Sequence, residues 1–323
     1  MLETRAVLSH SSKGKNMNDR HIVVGAGPVG RHVAELLAAR GSDVTVVTRS
    51  GTSTGLEGVK HLAADASDTD QLSAIAEGAA ALYNCANPGD YTTWSEVWPP
   101  LAAAFLAAAE RSGAVLAITG NLYPYGPMDG PMTETSPDAA TDKKGLLRAK
   151  MWADAKALND AGRIRAVEVR GSDYVGPGVG PNGHLSRQVP TISKGKRAWV
   201  IGSTDKPHSF TDVLDMARML IAAAEDETAH GKIWHAPTNP PRTQREAIAD
   251  VLAAMGKSPV GVTGMPAGVL RAAGVFSPLM RELSAMSYQW TKPYVLDDAA
   301  SRAHFGLEPT PWDEVCRRTA EGN

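Results

Sequence analysis

Between Arg20 and Arg49 the apolar positions change period twice. Ile22-Val23-Val24 is a short continuous run of β-branched residues, cut off by Gly25, Gly27 and Gly30. Val29, Val33, Leu36 and Leu37 then recur at helical spacing, and a second β-branched run covers Val44 to Thr48. The stretch reads as strand, glycine turn, helix, strand. Val59 to Ala64 predicts a third strand, Asp70 to Glu77 a helix, and Ala80 to Asn84 a fourth strand. Trp94 to Arg111 predicts a long alanine-rich helix, in which Pro99 and Pro100 imply a kink or a late start. Ala114 to Thr119 reads as a fifth strand, Leu146 to Asp160 as a helix and Ile164 to Arg170 as a sixth strand. Strands and helices alternate throughout, the pattern of a parallel sheet covered on both faces.

The pattern loosens after Gly176, where Gly-Pro-Gly-Val-Gly-Pro-Asn-Gly makes a loop and shorter elements follow. Helices are expected at Val213 to Ala224, Thr243 to Met255 and Ala267 to Met286, with Lys232 to Ala236 as a strand returning to the sheet. The expected fold is a Rossmann-like, doubly wound α/β sheet of about seven parallel strands with a smaller C-terminal α/β domain for substrate. Residues 20–175, joined by 205–236, would form the dinucleotide-binding part. Residues 176–204 and 237–323 would form the smaller one, with a cleft between them at the carboxyl ends of the strands. Residues 1–19 are polar and lack the apolar core of a signal peptide, so they read as a disordered tail or leader.

A chain of 323 residues that is 43% hydrophobic can bury a large core. Its net charge of −2 supplies no basic field for nucleic acid, and no apolar stretch is long enough to span a membrane. Two cysteines, Cys85 and Cys316, fit a reducing cytoplasm better than a disulfide framework. Nine histidines show no ligand spacing, so no metal site is expected. A homodimer is compatible with this composition.

The glycine turn carries the first chemistry. Gly25-x-Gly27-x-x-Gly30, after a strand and opening a helix, fits a dinucleotide pyrophosphate. Gly25 permits the tight turn, Gly27 lets the backbone approach the phosphates, and Gly30 lets helix and strand pack closely. Pro28 can occupy the first helical turn, and the N–H groups that follow, from Val29 on, face the phosphates. A NAD-preferring unit would place Asp or Glu at the end of the second strand. This chain has Thr48-Arg49-Ser50 there, and a guanidinium pairs with a 2′-phosphate, so NADP is expected, with NAD as the alternative.

Further motifs follow in order: Asp65 after strand three, Asn84-Cys85-Ala86 after strand four, and TGNLYPYGP after strand five. VEVRGSDYVGPG, HSFTDVLDMARML and PRTQREAI complete the series. Together they resemble an extended, atypical short-chain dehydrogenase/reductase of the NAD-dependent epimerase/dehydratase group, over nearly everything from His21 to about Thr319. The resemblance implies that Asp65 meets the adenine amino group, that Ala86 lines the cofactor's ribose side, and that Thr119 belongs to the same cofactor set.

At the catalytic positions the chain departs from that family, which uses Ser or Thr after strand five and Tyr-x-x-x-Lys on the next helix. The Ser position falls on Asn121, and the one register with cations at both positions is Lys144-Gly145-Leu146-Leu147-Arg148. Arg148 can hold ribose hydroxyls but stays charged. Lys144 is then the candidate proton donor or electrostatic anchor, with Asn121 steadying a carbonyl and Tyr123, Tyr125 or Tyr174 as displaced acids. Blander readings stand beside these. Lys143 and Lys144 also read as a solvated helix N-terminus, Asn121 as a loop cap, the tyrosines as walls and Cys85 as packing. The family's nucleotide-sugar members carry Arg where this chain has His208, so a small carbonyl, alcohol or sugar-like substrate is expected. The expected function is an NAD(P)-dependent oxidoreductase or epimerase/dehydratase-like enzyme. The alternative is a non-catalytic NADP-binding sensor on the same fold.

Overall fold

The computed structural model describes residues 19–322; the tail at 1–18 lies outside the described residues. Six strands enter a central sheet in chain order: β1 (Arg20–Val24), β2 (Asp43–Thr48), β3 (Val59–Ala63), β4 (Ala81–Asn84), β5 (Val115–Asn121) and β6 (Arg165–Gly171). Three short strands then leave it: β7 (Asp173–Val175), β8 (Ala198–Ile201) and β9 (Phe210–Asp212). β10 (Ile233–His235) returns, and β11 (Val262–Met265) pairs with β8. The seven-stranded sheet runs β10-β6-β5-β4-β1-β2-β3, with every pair parallel. The order reverses between β1 and β4, where a doubly wound sheet opens its ligand crevice.

Twelve α-helices accompany the strands among the described residues. The first six are α1 (Pro28–Ala39), α2 (Thr69–Ala76), α3 (Trp94–Ser112), α4 (Lys143–Asp160), α5 (Val189–Ile192) and α6 (Val213–Glu225). They are followed by α7 (Gln244–Ala254), α8 (Ala267–Ala273), α9 (Pro278–Ala285), α10 (Tyr288–Thr291), α11 (Ala299–Phe305) and α12 (Trp312–Glu321). Side chains of one strand point alternately to opposite faces, so a strand buried on both sides feeds two cores. Val23 joins Val33, Leu37, Met216 and Leu220 under α1 and α6. Ile22 and Val24 join Trp98, Phe105 and Trp152 under α3 and α4. A third core gathers Val175, Val200, Phe210, Ile248 and Val315 from the C-terminal elements.

Three expectations are corrected. α3 starts at Trp94 and continues through Pro99 and Pro100 to Ser112, with no late start. The prolines lie on its exposed face while Trp94 and Trp98 are buried, so burial of two indoles holds the first turns and the freed carbonyls face solvent. α4 begins at Lys143 rather than Leu146, because Asp142 Oδ1 accepts from the N–H groups of Lys144 and Gly145 at 3.1 and 3.0 Å. The helix expected from Ala267 to Met286 is two, α8 and α9. Pro278 sits in the first turn of α9 and Ser277 caps it.

Candidate active site

The glycine turn joins β1 to α1 in the crevice where the sheet order reverses. Gly25 has φ of +103°, and a Cβ there would lie 2.6 Å from the Cys85 carbonyl oxygen at the end of β4. A Cβ on Gly30 would run into the Gly25 carbonyl oxygen, whereas one on Gly27 would meet nothing within 4 Å. Gly25 and Gly30 thus answer to the fold, and Gly27 leaves open space over the helix start. Gly27 is the N-cap without a side-chain cap, Pro28 is the first helical residue, and Arg31 N donates the first helical bond to Gly27 O at 2.8 Å. The N–H groups of Val29 and Gly30 are therefore left to an anion, while the Val29 side chain packs in the core. The residues present fit a dinucleotide pyrophosphate.

At the far edge of the crevice Arg49 and Ser50 are exposed, and Ser50 Oγ shares a hydrogen bond with Thr52 at 2.8 Å. Arg31 reaches over from α1 and donates to Thr54 O at 2.6 Å. Asp65 accepts from the N–H and hydroxyl of Ser67 at 2.9 and 2.7 Å, bonds that hold its carboxyl below the usual range. Arg49 adds to this lowering, so the two residues share one rim. Ala86 is half-buried beyond β4, with its N–H on Asn84 Oδ1 at 3.3 Å.

The opposite end of the crevice gathers the remaining residues. Lys144 and Arg148, one turn apart on α4, are both buried, at 3% and 5% exposure. The solvated reading of Lys144 is therefore overturned. Its ammonium pairs with Glu282 of α9 and lies 5.3 Å from the centre of the Tyr91 ring. Arg148 stacks on Trp98 and Trp94, 4.2 and 5.3 Å from the rings, and donates to Thr119 O at 3.4 Å. Burial lowers the pKa of Arg148 from its ordinary value, opposed by the charge of Glu168. Gly145 allows this packing, since a Cβ there would collide with Ala140 and come within 2.6 Å of Tyr123 O.

The candidate acids separate by their partners. Tyr125 is locked to His235 Nε2 at 2.8 Å beneath Arg170, and Tyr174 donates to Gly120 O at 2.6 Å. Among the described residues the Tyr123 hydroxyl shares a bond only with another phenol, Tyr91, at 3.1 Å. Burial raises the pKa of both, most of all that of Tyr123. Asn121 Oδ1 accepts from Tyr123 N at 3.1 Å, so it caps the turn as the blander reading had it. Thr119 Oγ1 contacts Cys85 Sγ at 3.6 Å, and burial pushes that thiol up to about 12, as expected of packing.

His208 is buried against Asp173, 2.7 Å away. Burial is the largest single influence and raises the Asp173 carboxyl, but the charge and hydrogen bond of His208, with His184 and Trp290, together hold it well below its ordinary value. Asp173 influences Tyr91 and Tyr123, so this pair borders the same centre. Sequence spacing offered no route to Glu282, which lies 138 residues from Lys144, or to the Tyr91–Tyr123 pair. The polar run Gly-Asp-Tyr-Thr-Thr before α3 was the one available hint of Tyr91.

Comparison with known proteins agrees with this geometry. The model of the NAD dependent epimerase/dehydratase family matches residues 21–236. No curated protein matches the sequence. Among solved structures, dTDP-glucose 4,6-dehydratase from Bacillus anthracis in complex with NAD is 14% identical, with a TM-score of 0.75 over 94% of this chain and 95% of that one. WbmH from Bordetella bronchiseptica in complex with NAD+ is 17% identical, with a TM-score of 0.72 over 94% and 97%. MoeE5 in complex with UDP-glucose and NAD is 17% identical, with a TM-score of 0.75 over 94% and 97%. At such identities the structures speak for the fold, and the family model speaks for descent. The chain belongs to the NAD-dependent epimerase/dehydratase family and is an enzyme of the short-chain dehydrogenase/reductase type.

Proposed function

We propose that the protein is an NADP-preferring oxidoreductase or epimerase acting on a small carbonyl, alcohol or sugar-like substrate, with Lys144 and Arg148 in place of the usual Tyr-x-x-x-Lys pair. The observation that carries this reading is the burial of Lys144 beside the Tyr91–Tyr123 phenols. A buried ammonium requires compensation, and a solvated helix start would have no use for it. The nicotinamide, when bound, supplies or accepts hydride. The chain's own residues then bind, orient and protonate. Lys144, with Glu282 balancing its charge, anchors a substrate oxygen electrostatically. Arg148 orients the ribose from its indole stack. Tyr123, bonded only to Tyr91, is the group placed to move a proton to or from the substrate oxygen. Asn121, engaged in its turn, shapes the backbone that presents Tyr123.

Arg49, exposed, with no ion pair among the described residues though its charge acts on Asp65, supports the choice of NADP, since a 2′-phosphate would give it a direct partner. The smaller C-terminal elements around β8 and β11 would carry the substrate. His208, paired with Asp173, favours a substrate without a diphosphate, although UDP-glucose in the MoeE5 complex keeps a sugar-like substrate in view. Family membership supports an enzyme over a cofactor sensor. The test is titration of NADPH and NADH into wild type and Arg49→Ala, followed by a screen of carbonyl substrates. Arg49→Ala should weaken NADPH and leave NADH nearly unchanged; equal affinity of the wild type for both would refute the preference. Lys144→Met should lower turnover at least tenfold while NADPH binding survives. An unchanged rate would return Lys144 to a purely structural ion pair.

A further inference from the structure

A cavity of about 170 Å³ lies beside this centre, between β8, β11 and α9. Its walls are apolar: Ile201, Met265, Met280 and Leu283, with the exposed Trp199 at the rim. Three polar side chains reach it, and two are already committed. Gln188 donates to Trp199 O at 3.0 Å. His184 pairs through Nε2 with Gln244 Oε1, whose amide nitrogen is spent on the carbonyls of Ile201 and Ser203. Nε2 of His184 therefore carries the hydrogen, and burial keeps the ring neutral by pulling its pKa down to about 4.

The third is Arg187. It is half-buried, its Nε donates to Gly183 O at 3.1 Å, and among the described residues it has no ion-pair partner. A guanidinium at an apolar wall without a counter-charge is unfavourable unless a ligand brings one. Its charge also favours the phenolate of Tyr91, which places it on the same cleft as the reacting centre. Helix α9 joins the two, with Glu282 on Lys144 while Met280 and Leu283 line the cavity.

We propose that this cavity is the substrate's recognition pocket and that it takes the compact apolar monocarboxylate end of a substrate whose carbonyl or alcohol lies at the reacting centre, the carboxylate held by Arg187 and the hydrocarbon part against Met265, Met280 and Leu283. The inference rests on the reading of this cleft as the substrate site. Size argues for it, since pockets that hold drug-sized ligands run to roughly 300–1,000 Å³, well above this one. Charge argues for it too, because one guanidinium balances one carboxylate, and its planar fork matches that group bidentately. A phosphate would bring up to about two negative charges to a wall with a single cation.

The experiment is calorimetric titration of the intact protein with hexanoate, hexanamide and UDP-glucose, without cofactor, alongside a separate NADPH titration. Saturable hexanoate binding at least tenfold tighter than hexanamide is expected, lost in Arg187→Gln and largely kept in Arg187→Lys. Met280→Trp, which fills the cavity from a second side, should abolish it as well. Equal binding of hexanoate and hexanamide, an Arg187→Gln variant that binds hexanoate like wild type, or UDP-glucose binding more tightly than hexanoate would overturn the proposal. The NADPH arm separates the two ideas. A protein that binds hexanoate through Arg187 but no NADPH would refute the cofactor reading and leave this pocket standing.

Discussion

Glu282→Gln is the sharpest probe of the reacting centre, because it removes one charge and keeps the shape. Lys144 is 3% exposed and its partner carboxylate about a quarter exposed, so the substitution strands an ammonium that has almost no access to water. Removing one partner of a buried ion pair generally costs about 3–5 kcal/mol. The partial exposure of Glu282 argues for the lower end. Urea unfolding of wild type, Glu282→Gln, Lys144→Met and the double variant at pH 8 measures it. The expected coupling exceeds about 1 kcal/mol, with the double variant more stable than Glu282→Gln alone. A loss below about 1 kcal/mol at pH 8, or additive single effects, would make the pair equivalent to an exposed salt bridge and refute the argument from burial.

Three further outcomes follow from the structure. Gly27→Ala should leave the urea midpoint nearly unchanged while weakening NADPH and NADH at least tenfold in a fluorescence titration, because its Cβ enters only the open space over the helix start. Gly30→Ala should instead destabilise the fold by about 1–3 kcal/mol, since its Cβ meets a backbone oxygen that cannot turn aside. Acidification should destabilise the protein through His184: burial first, and then Arg187 and His208, lower its pKa to about 4, against the pull of Asp173. Between the ordinary 6.5 and about 4 the unfolded chain binds a proton that the folded chain refuses, so stability is lost as pH falls, by up to about 3 kcal/mol. His184→Gln should flatten the urea-midpoint profile in that window by nearly one proton, and parallel profiles would contradict it.

What the sequence determined by itself is the part written in short-range terms. Short, largely apolar runs specified strands buried on both faces, and β1, β2, β4, β5 and β6 all appear where those runs placed them, within one or two residues. The glycine turn was equally legible, because a φ of +103° and a Cβ-free approach are demands on single positions. Local rules failed where packing outweighed propensity. Two prolines sit inside α3 because Trp98 and Trp94 are buried beneath them, whereas α4 starts early through a local signal of its own, the Asp142 cap. Only the tertiary structure decided which charges face one another. Spacing put Lys144 and Arg148 on one helix face but could not reveal Glu282, contributed by α9, which closes over them from the far end of the chain. Nor could it pair Asp173 with His208, pair Tyr91 with Tyr123, or set Arg187 at an apolar wall with no ion-pair partner among the described residues. Backbone conformation is chosen among a residue's near neighbours, whereas the neutralisation of a buried charge depends on whichever distant segment the closed fold brings within a few ångströms.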